Sequence, residues 1–173
     1  MHIARLEAAD APQYRALMLQ AYELAADAFT STAAERVGEP ESFWVRRMAD
    51  PAGLSVAFGA FDDSVLIGTV ALELSAKPKT AHKGHVIGMY VVPAAQGTGT
   101  GRALLNACIA HARALPGLQQ LTLTVTQGND TAMALYRSAG FETFGLEPQA
   151  ILTPSGFKAK VHMWLPLTVN AVS

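Results

Sequence analysis

The amino-acid sequence predicts an α+β fold: a mixed, mostly antiparallel central sheet of about seven strands flanked by about four helices. Three observations carry this expectation. The apolar pattern switches from helical spacing to alternation near residue 54, and strand and helix then take turns from residue 85 onward. Half of the 173 residues are apolar and 16% are charged, the balance of a chain that buries a core. There is no repeat, low-complexity tract or linker, so residues 1–173 are expected to form a single domain.

The elements follow in order. Residues 2–7 suit a short first strand. From Ala11 to about Ala28, Leu17, Ala21, Leu24, Ala25 and Ala28 recur at helical spacing after Asp10 and Pro12. The stretch DAFTSTAAERVGEP reads as a loop or irregular segment. A short helix carrying Phe43, Trp44, Val45 and Met48 starts after Pro40 and stops near Asp50–Pro51. LSVAFGAF and VLIGTVALEL, joined through DD, make an antiparallel hairpin. KPKTAHKG is a polar loop. HVIGMYVV has few polar residues and is expected to be a central strand covered on both faces. Residues 100–115 form a helix whose inward side carries Leu104, Leu105, Cys108, Ile109, Ala112 and Leu115, ended by Pro116–Gly117. LQQLTLTVT is a strand. A helix runs from Asp130 to Ala139 with Gly140 as its C′ residue. FETFGLE and AKVHMWL are the last two strands.

Composition narrows the function. A net charge of −1 gives no reason to expect a nucleic-acid or membrane-surface partner. The single cysteine, Cys108, excludes an internal disulfide and fits a reducing compartment. The opening MHIARLEAAD lacks the apolar centre of a signal peptide, and no run approaches the roughly 20 apolar residues that span a bilayer. A soluble, cytoplasmic protein is expected, with no metal.

The densest signal is MYVVPAAQGTGTGRALL, an apolar strand, a proline stop, three closely spaced glycines and a helix. A P-loop would need a lysine after Gly101, and Arg102 stands there instead. A dinucleotide fingerprint would need different glycine spacing and an acidic residue where Gln119 and Gln120 lie. What fits is a strand-to-helix turn whose N–H groups form an anion nest at a helix N-terminus, or a glycine-rich turn with no ligand.

Gln96-Gly97-Thr98-Gly99-Thr100-Gly101 resembles the Arg/Gln-x-x-Gly-x-Gly/Ala motif of the GNAT superfamily of acyl-CoA-dependent N-acetyltransferases, and it follows Val91-Val92-Pro93 as in that family. Asn129 to Phe141 is similar to the family's Asn-x-x-Ala-x-x-x-Tyr-x-x-x-Gly-Phe signature, with Ala132, Tyr136 and Gly140 in register. The two motifs cover residues 86–141, and the order of the flanking elements extends the likeness over nearly the whole chain.

The resemblance implies acetyl-CoA as cosubstrate. It implies that the turn from Gln96 through Gly97, Thr98, Gly99, Thr100 and Gly101 to Arg102 holds the pyrophosphate, and that the pantetheine arm pairs with the strand edge at Met89, Tyr90 and Val91. Thr98 stands where many members carry a cation, leaving Arg102 as the nearby one. The resemblance implies that Asn129 and Ala132 contact the cofactor, although Asn129 also suits a plain N-cap. It implies Tyr136 as the partner of the thiol sulfur. Reference pKa values of about 10 for tyrosine and about 8.5 for a thiol make full proton transfer uphill by roughly 2 kcal/mol, so a hydrogen bond to developing charge is expected.

The attacking amine needs a base. Family members often use a glutamate on this strand, and this chain has none there. Simple alternation puts His85, Ile87 and Met89 on one face and Val86, Gly88 and Tyr90 on the other. His85 is the first choice of base, with Glu73 acting through water as runner-up, and a structural hydrogen bond is the plain alternative for His85. His82 is expected to be solvated and His162 to serve packing. Phe29, Phe43, Trp44, Tyr90 and Phe157 are nominated for the acceptor pocket, although aromatics at such spacing also build cores. The expected reaction is direct transfer in a ternary complex to a primary amine of a small molecule, an amino acid or a peptide, with a non-catalytic acyl-CoA-binding domain as the alternative. The resemblance also implies frequent homodimers, for which no residue argues.

Overall fold

The computed structural model describes residues 1–167; residues 168–173 of the expected domain lie outside the described residues. One seven-stranded sheet, ordered β1-β2-β3-β4-β5-β7-β6, organises the chain. Its strands are β1 (His2–Arg5), β2 (Ser55–Asp62), β3 (Val65–Leu74), β4 (Lys83–Val91), β5 (Gln120–Thr126), β6 (Glu142–Thr153) and β7 (Gly156–Pro166). Every neighbouring pair is antiparallel except β4 and β5. The helices are α1 (Ala11–Leu24), α2 (Ala33–Arg36), α3 (Glu41–Met48), α4 (Thr100–Ala114) and α5 (Asp130–Ser138). The α+β class and the mixed sheet agree with the sequence reading.

Two apolar layers sandwich the sheet. On one side α1 and α3 bring Tyr14, Leu17, Met18, Trp44 and Met48 against Ala57, Phe61, Ala71 and Tyr90. On the other, α4 supplies Leu104, Leu105, Cys108, Ile109 and Ala112 against Phe58, Val70, Leu72, Val86 and Leu121. Burying each large side chain of this kind contributes on the order of 1.5–3 kcal/mol.

Several expectations need correcting. The first helix stops at Leu24 rather than Ala28: Ala25 leaves helical geometry at ψ 44°, and a 3-10 turn spans Ala26–Ala28. The segment read as loop contains α2, because Thr32 and Glu35 form a reciprocal capping box that satisfies the helix's free N–H groups. It brings the helices to five among the described residues. The last two strands are longer than their apolar cores, since hairpin pairing carries both to the turn at residues 154–155.

The strand β4 departs most. It is central, but it is not covered along its length, because parallel pairing with β5 runs only from Lys83↔Gln120 to His85↔Thr122. Beyond that the strands diverge, and Ile87, Gly88 and Met89 are only half-buried. Its alternation also breaks. Against β3, Ala71 pairs with Ile87 and Thr69 with Tyr90, so β4 holds one residue more than its partner. Gly88, at φ 62°, absorbs that residue as a bulge. Past the bulge the faces exchange: Met89 packs with the α4 layer and Tyr90 with the α1 layer, the reverse of simple alternation.

A Cβ at Gly88 would meet nothing closer than 3.9 Å, so a side chain there is opposed by backbone conformation rather than by crowding. Gly88→Ala should therefore lower unfolding free energy by about 1–2 kcal/mol, the cost of a left-handed non-glycine residue. Urea denaturation checks this; an unchanged midpoint would mean the bulge is not held at positive φ.

Candidate active site

Where β4 and β5 part, a cleft of about 410 Å³ opens. Its wall on β4 runs from His85 to Met89, and β5 faces it with Thr124, Val125 and Thr126. From α5 come Asn129, Ala132 and Tyr136. Tyr22 and the segment Ala28–Ser31 form the roof, and Arg36, Arg47, Glu73 and Lys160 supply the charges of the rim. The roof is tied down across the split. Thr126 Oγ1 donates to the Asp27 carbonyl at 2.6 Å, and Lys158 Nζ meets the Asp27 carboxylate at 2.6 Å.

Local rules position α5. Asn129 caps it, its Oδ1 accepting from the Ala132 N–H at 3.3 Å, and Gly140 at φ 101° ends it. Seven residues on from Asn129, two turns of helix, Tyr136 returns to the same groove. It is 7% exposed and lies edge-on to Phe141. Burial pushes its hydroxyl up to about 12, with Cys108 a smaller contribution, so the phenol keeps its proton throughout the neutral range.

His85 stands at the last paired rung of β4 and β5. Its Nδ1 lies 3.0 Å from Thr122 Oγ1, which in turn reaches the Gly84 carbonyl at 3.5 Å. With the threonine proton directed to Gly84, Thr122 accepts from Nδ1–H, leaving the lone pair of neutral imidazole on Nε2. Burial lowers the His85 pKa below its ordinary value, and the neighbouring Glu73 carboxylate works against that fall. Glu73 sits directly across the β3–β4 ladder from His85.

The glycine turn lies outside the cleft, at the far end of β4. After a 3-10 turn at Pro93–Ala95, Gly97 and Gly99 take φ of 75° and 87°. Thr98 Oγ1 donates to the Ala95 carbonyl and lies 2.9 Å from Thr100 Oγ1, and Gln96 Nε2 donates to the Val91 carbonyl at 3.0 Å. Gly99 is the N-cap of α4 and offers no side chain to its first amides. Those N–H groups have no acceptor within the helix. Chain neighbours aside, no described atom lies within 4 Å of where a Cβ would stand at Gly97 or Gly99.

These residues fall within a recognised family pattern. The family model for the acetyltransferase (GNAT) family matches residues 18–141. The chain belongs to the GNAT acetyltransferase family. An N-alpha-acetyltransferase RimI of Mycobacterium tuberculosis is 38% identical to this GNAT chain over 62% of its length and 63% of the relative's. A mycothiol acetyltransferase of Geodermatophilus obscurus is also 38% identical, over 53% of this chain and 29% of that protein. The matches thus span under two thirds of these relatives. An acetyltransferase of the GNAT family from Streptococcus pneumoniae shares the fold, with a TM-score of 0.84 at 22% identity over 96% of this chain and 99% of that one. The open amides at the start of α4, with clear space above Gly97 and Gly99, fit the diphosphate of the family's acyl-CoA.

The sequence-nominated residues divide unevenly. His85, Met89, Asn129, Ala132, Tyr136 and the runner-up Glu73 all line the cleft. Tyr90 and Val91 lie beyond it, on the edge of β4 that β5 leaves unpaired. Of the five nominated aromatics only Phe29 lines the cleft. Trp44 and Tyr90 are core, at 0% and 5% exposure, because α3 and the bulge turn them inward. Phe43 stacks beneath Arg36 and Arg47 outside the cleft, and Phe157 is exposed near the β6–β7 turn. Sequence reasoning missed Tyr22, Arg36, Arg47 and Lys160; helical phase alone does not tell a cleft wall from a core. His82 is exposed, and His162 meets Glu147 at 3.4 Å and Phe144 edge-on. Cys108 is fully buried, its thiol pushed up to about 12 by burial. No helix among the described residues is long and apolar enough to cross a membrane.

Because Glu73 holds the His85 pKa up, Glu73→Gln should lower it further. An NMR titration of the His85 ring reads the shift; an unmoved or raised midpoint would remove Glu73 from the site's electrostatics.

Proposed function

We propose that this chain is an N-acetyltransferase that moves an acetyl group from acetyl-CoA to a primary amine of a small molecule, an amino acid or a peptide, directly within a ternary complex. The observation that carries this reading is the convergence of His85 and Tyr136 on one cleft, the first neutral and the second protonated at neutral pH.

When bound, acetyl-CoA supplies a thioester carbonyl and a thiolate leaving group. The amides of Gly97 to Arg102, aided by the α4 dipole, bind the diphosphate. The free edge of β4, Met89 to Val91, takes the amide-bearing arm as an added strand. Asn129 and Ala132, at the start of α5, contact the same arm. An amine arrives largely as ammonium and must lose a proton before it attacks. Glu73 draws the ammonium toward the rim, and His85 accepts the proton at Nε2. Tyr136 holds its proton at Oη and offers it as a hydrogen bond to the charge that builds on sulfur. With a pKa of about 12, it stabilises that charge without giving up the proton. A nucleophilic cysteine has no part, since Cys108 is buried and protonated. The name of one relative, an N-alpha-acetyltransferase, supports an α-amine as the acceptor group.

Thiol release with acetyl-CoA and a panel of amines tests the reading, and binding without release would favour a non-catalytic acyl-CoA-binding domain. Tyr136→Phe should lower kcat by about 10²-fold, the usual effect of losing one charge-stabilising donor, and leave CoA affinity within a few-fold. Unchanged turnover would refute its role. Gly99→Val should weaken CoA binding at least about tenfold by calorimetry, because the side chain fills the anion's approach and the positive φ is lost. Activity should fall on the acid side as His85 protonates below its ordinary pKa, with no alkaline loss from Tyr136 up to about pH 10.

A further inference from the structure

Behind the bulge of β4 lies a group of buried polar atoms that the fold leaves unused. Tyr14 and Tyr22, from α1, are 0% and 4% exposed, and Arg47 comes from α3. Tyr14 Oη, Tyr22 Oη and Arg47 Nε are each shielded from solvent and make no regular hydrogen bond among the described residues. The three are neighbours. Burial raises both phenol pKa values; the Arg47 charge works against that rise at both, Arg36 does so at Tyr22, and Tyr22 adds to the rise at Tyr14. Tyr14 Oη lies 4.0 Å from where a Cβ would stand at Gly88. Gly88, Tyr22 and Arg47 all line the cleft.

These groups are donors. A guanidinium N–H and two phenol O–H groups can each donate to an oxygen lone pair, and none of the three is bonded to one among the described residues. The only carboxylate of the cleft wall among the described residues is Glu73, and no ion pair joins it to Arg47. Arg36 is engaged with Glu39 at 3.2 Å, and Asp27 with Lys158. Arg47 and Lys160 therefore face the same cleft as Glu73 with no ion pair among the three; Lys160 lies on the His85 side, where it adds to the fall of the His85 pKa, and Arg47 lies beside the phenols. A planar guanidinium flanked by hydroxyl donors matches the planar, two-oxygen geometry of a carboxylate.

We propose that this corner binds the carboxylate of the acceptor, so that the acceptor is a free α-amino acid, its amine held toward Glu73 and His85 and its carboxylate toward Arg47, Tyr14 and Tyr22. The assignment rests on the transfer reading for which end reacts, but the carboxylate site stands on its own geometry. It separates a free amino acid from a peptide N-terminus, which has an amide where the amino acid has the charge.

The test is binding, read without turnover. Calorimetry on the full chain compares the common free α-amino acids with their α-carboxamides, with CoA present and absent. At least one free acid should bind about tenfold or more tightly than its carboxamide, the usual worth of a charge-assisted contact. Arg47→Met should reduce that ratio to about two. Tyr22→Phe removes one oxygen without disturbing shape, and should reduce it part-way even if the arginine variant folds poorly. Equal affinities for acid and amide, absence of binding by any acid, or an unchanged ratio in a folded Arg47→Met would each overturn the proposal. Acid-selective binding without thiol release would refute acetyl transfer alone. Thiol release as fast with carboxamides or peptide N-termini as with free acids would refute the carboxylate site alone.

Discussion

The parting of β4 from β5 is the constraint on which the rest of the molecule depends. Parallel pairing lasts from Lys83 to His85 and then stops inside the sheet, where an unpaired strand edge is costly. Two features make the gap sustainable. The bulge at Gly88 bends β4 away and increases its local twist, and the 3-10 turn at Ala26–Ala28, which leads into the roof, is bonded through Asp27 to Thr126 and Lys158. The exposed Asp27–Lys158 pair adds little stability at 45% and 33% side-chain exposure; its effect is to fix where the roof sits. A sheet that closed here would have neither a cleft nor a free edge.

The same split sets the chemistry of its two titrating side chains. His85 occupies the last closed rung, where burial disfavours its charged form and Thr122 Oγ1 lies 3.0 Å from its Nδ1. Tyr136 faces the gap from α5, where burial disfavours phenolate. One desolvated environment thus keeps the imidazole unprotonated and the phenol protonated, the pairing that general-base and hydrogen-bond donor roles require. Opposite them the buried phenols of α1 and the guanidinium of α3 form a second polar region, held in place by the apolar layer around Trp44 and Met18.

The fold class, the strand order in sequence and the glycine turn were legible in the chain because each is written locally. Alternation marks β5, helical spacing marks α4, Asn129 and Gly140 bracket α5, and glycines at positions 97, 99 and 101 can serve only where backbone must approach or turn. The pairing of His85 with the groove of Tyr136 was also reachable, through motif spacing and the place of each residue at a strand or helix end. The end of α1 and the existence of α2 escaped, because a 3-10 turn and a four-residue helix leave almost no periodic trace.

What the sequence alone determined is therefore the set of elements and the amide-rich turn, since propensity, capping and glycine conformation act over a few residues. Tertiary structure decided which side chains meet. The single extra residue at Gly88 reverses the faces of β4, moves Tyr90 from the expected acceptor pocket into the core and sends Met89 to the opposite layer. Register between strands is a long-range property, and one inserted residue changes it without altering any local preference. The approach of Arg47 to Tyr14 and Tyr22 has the same origin: it depends on how α1 and α3 pack across the sheet, which neither helix encodes by itself.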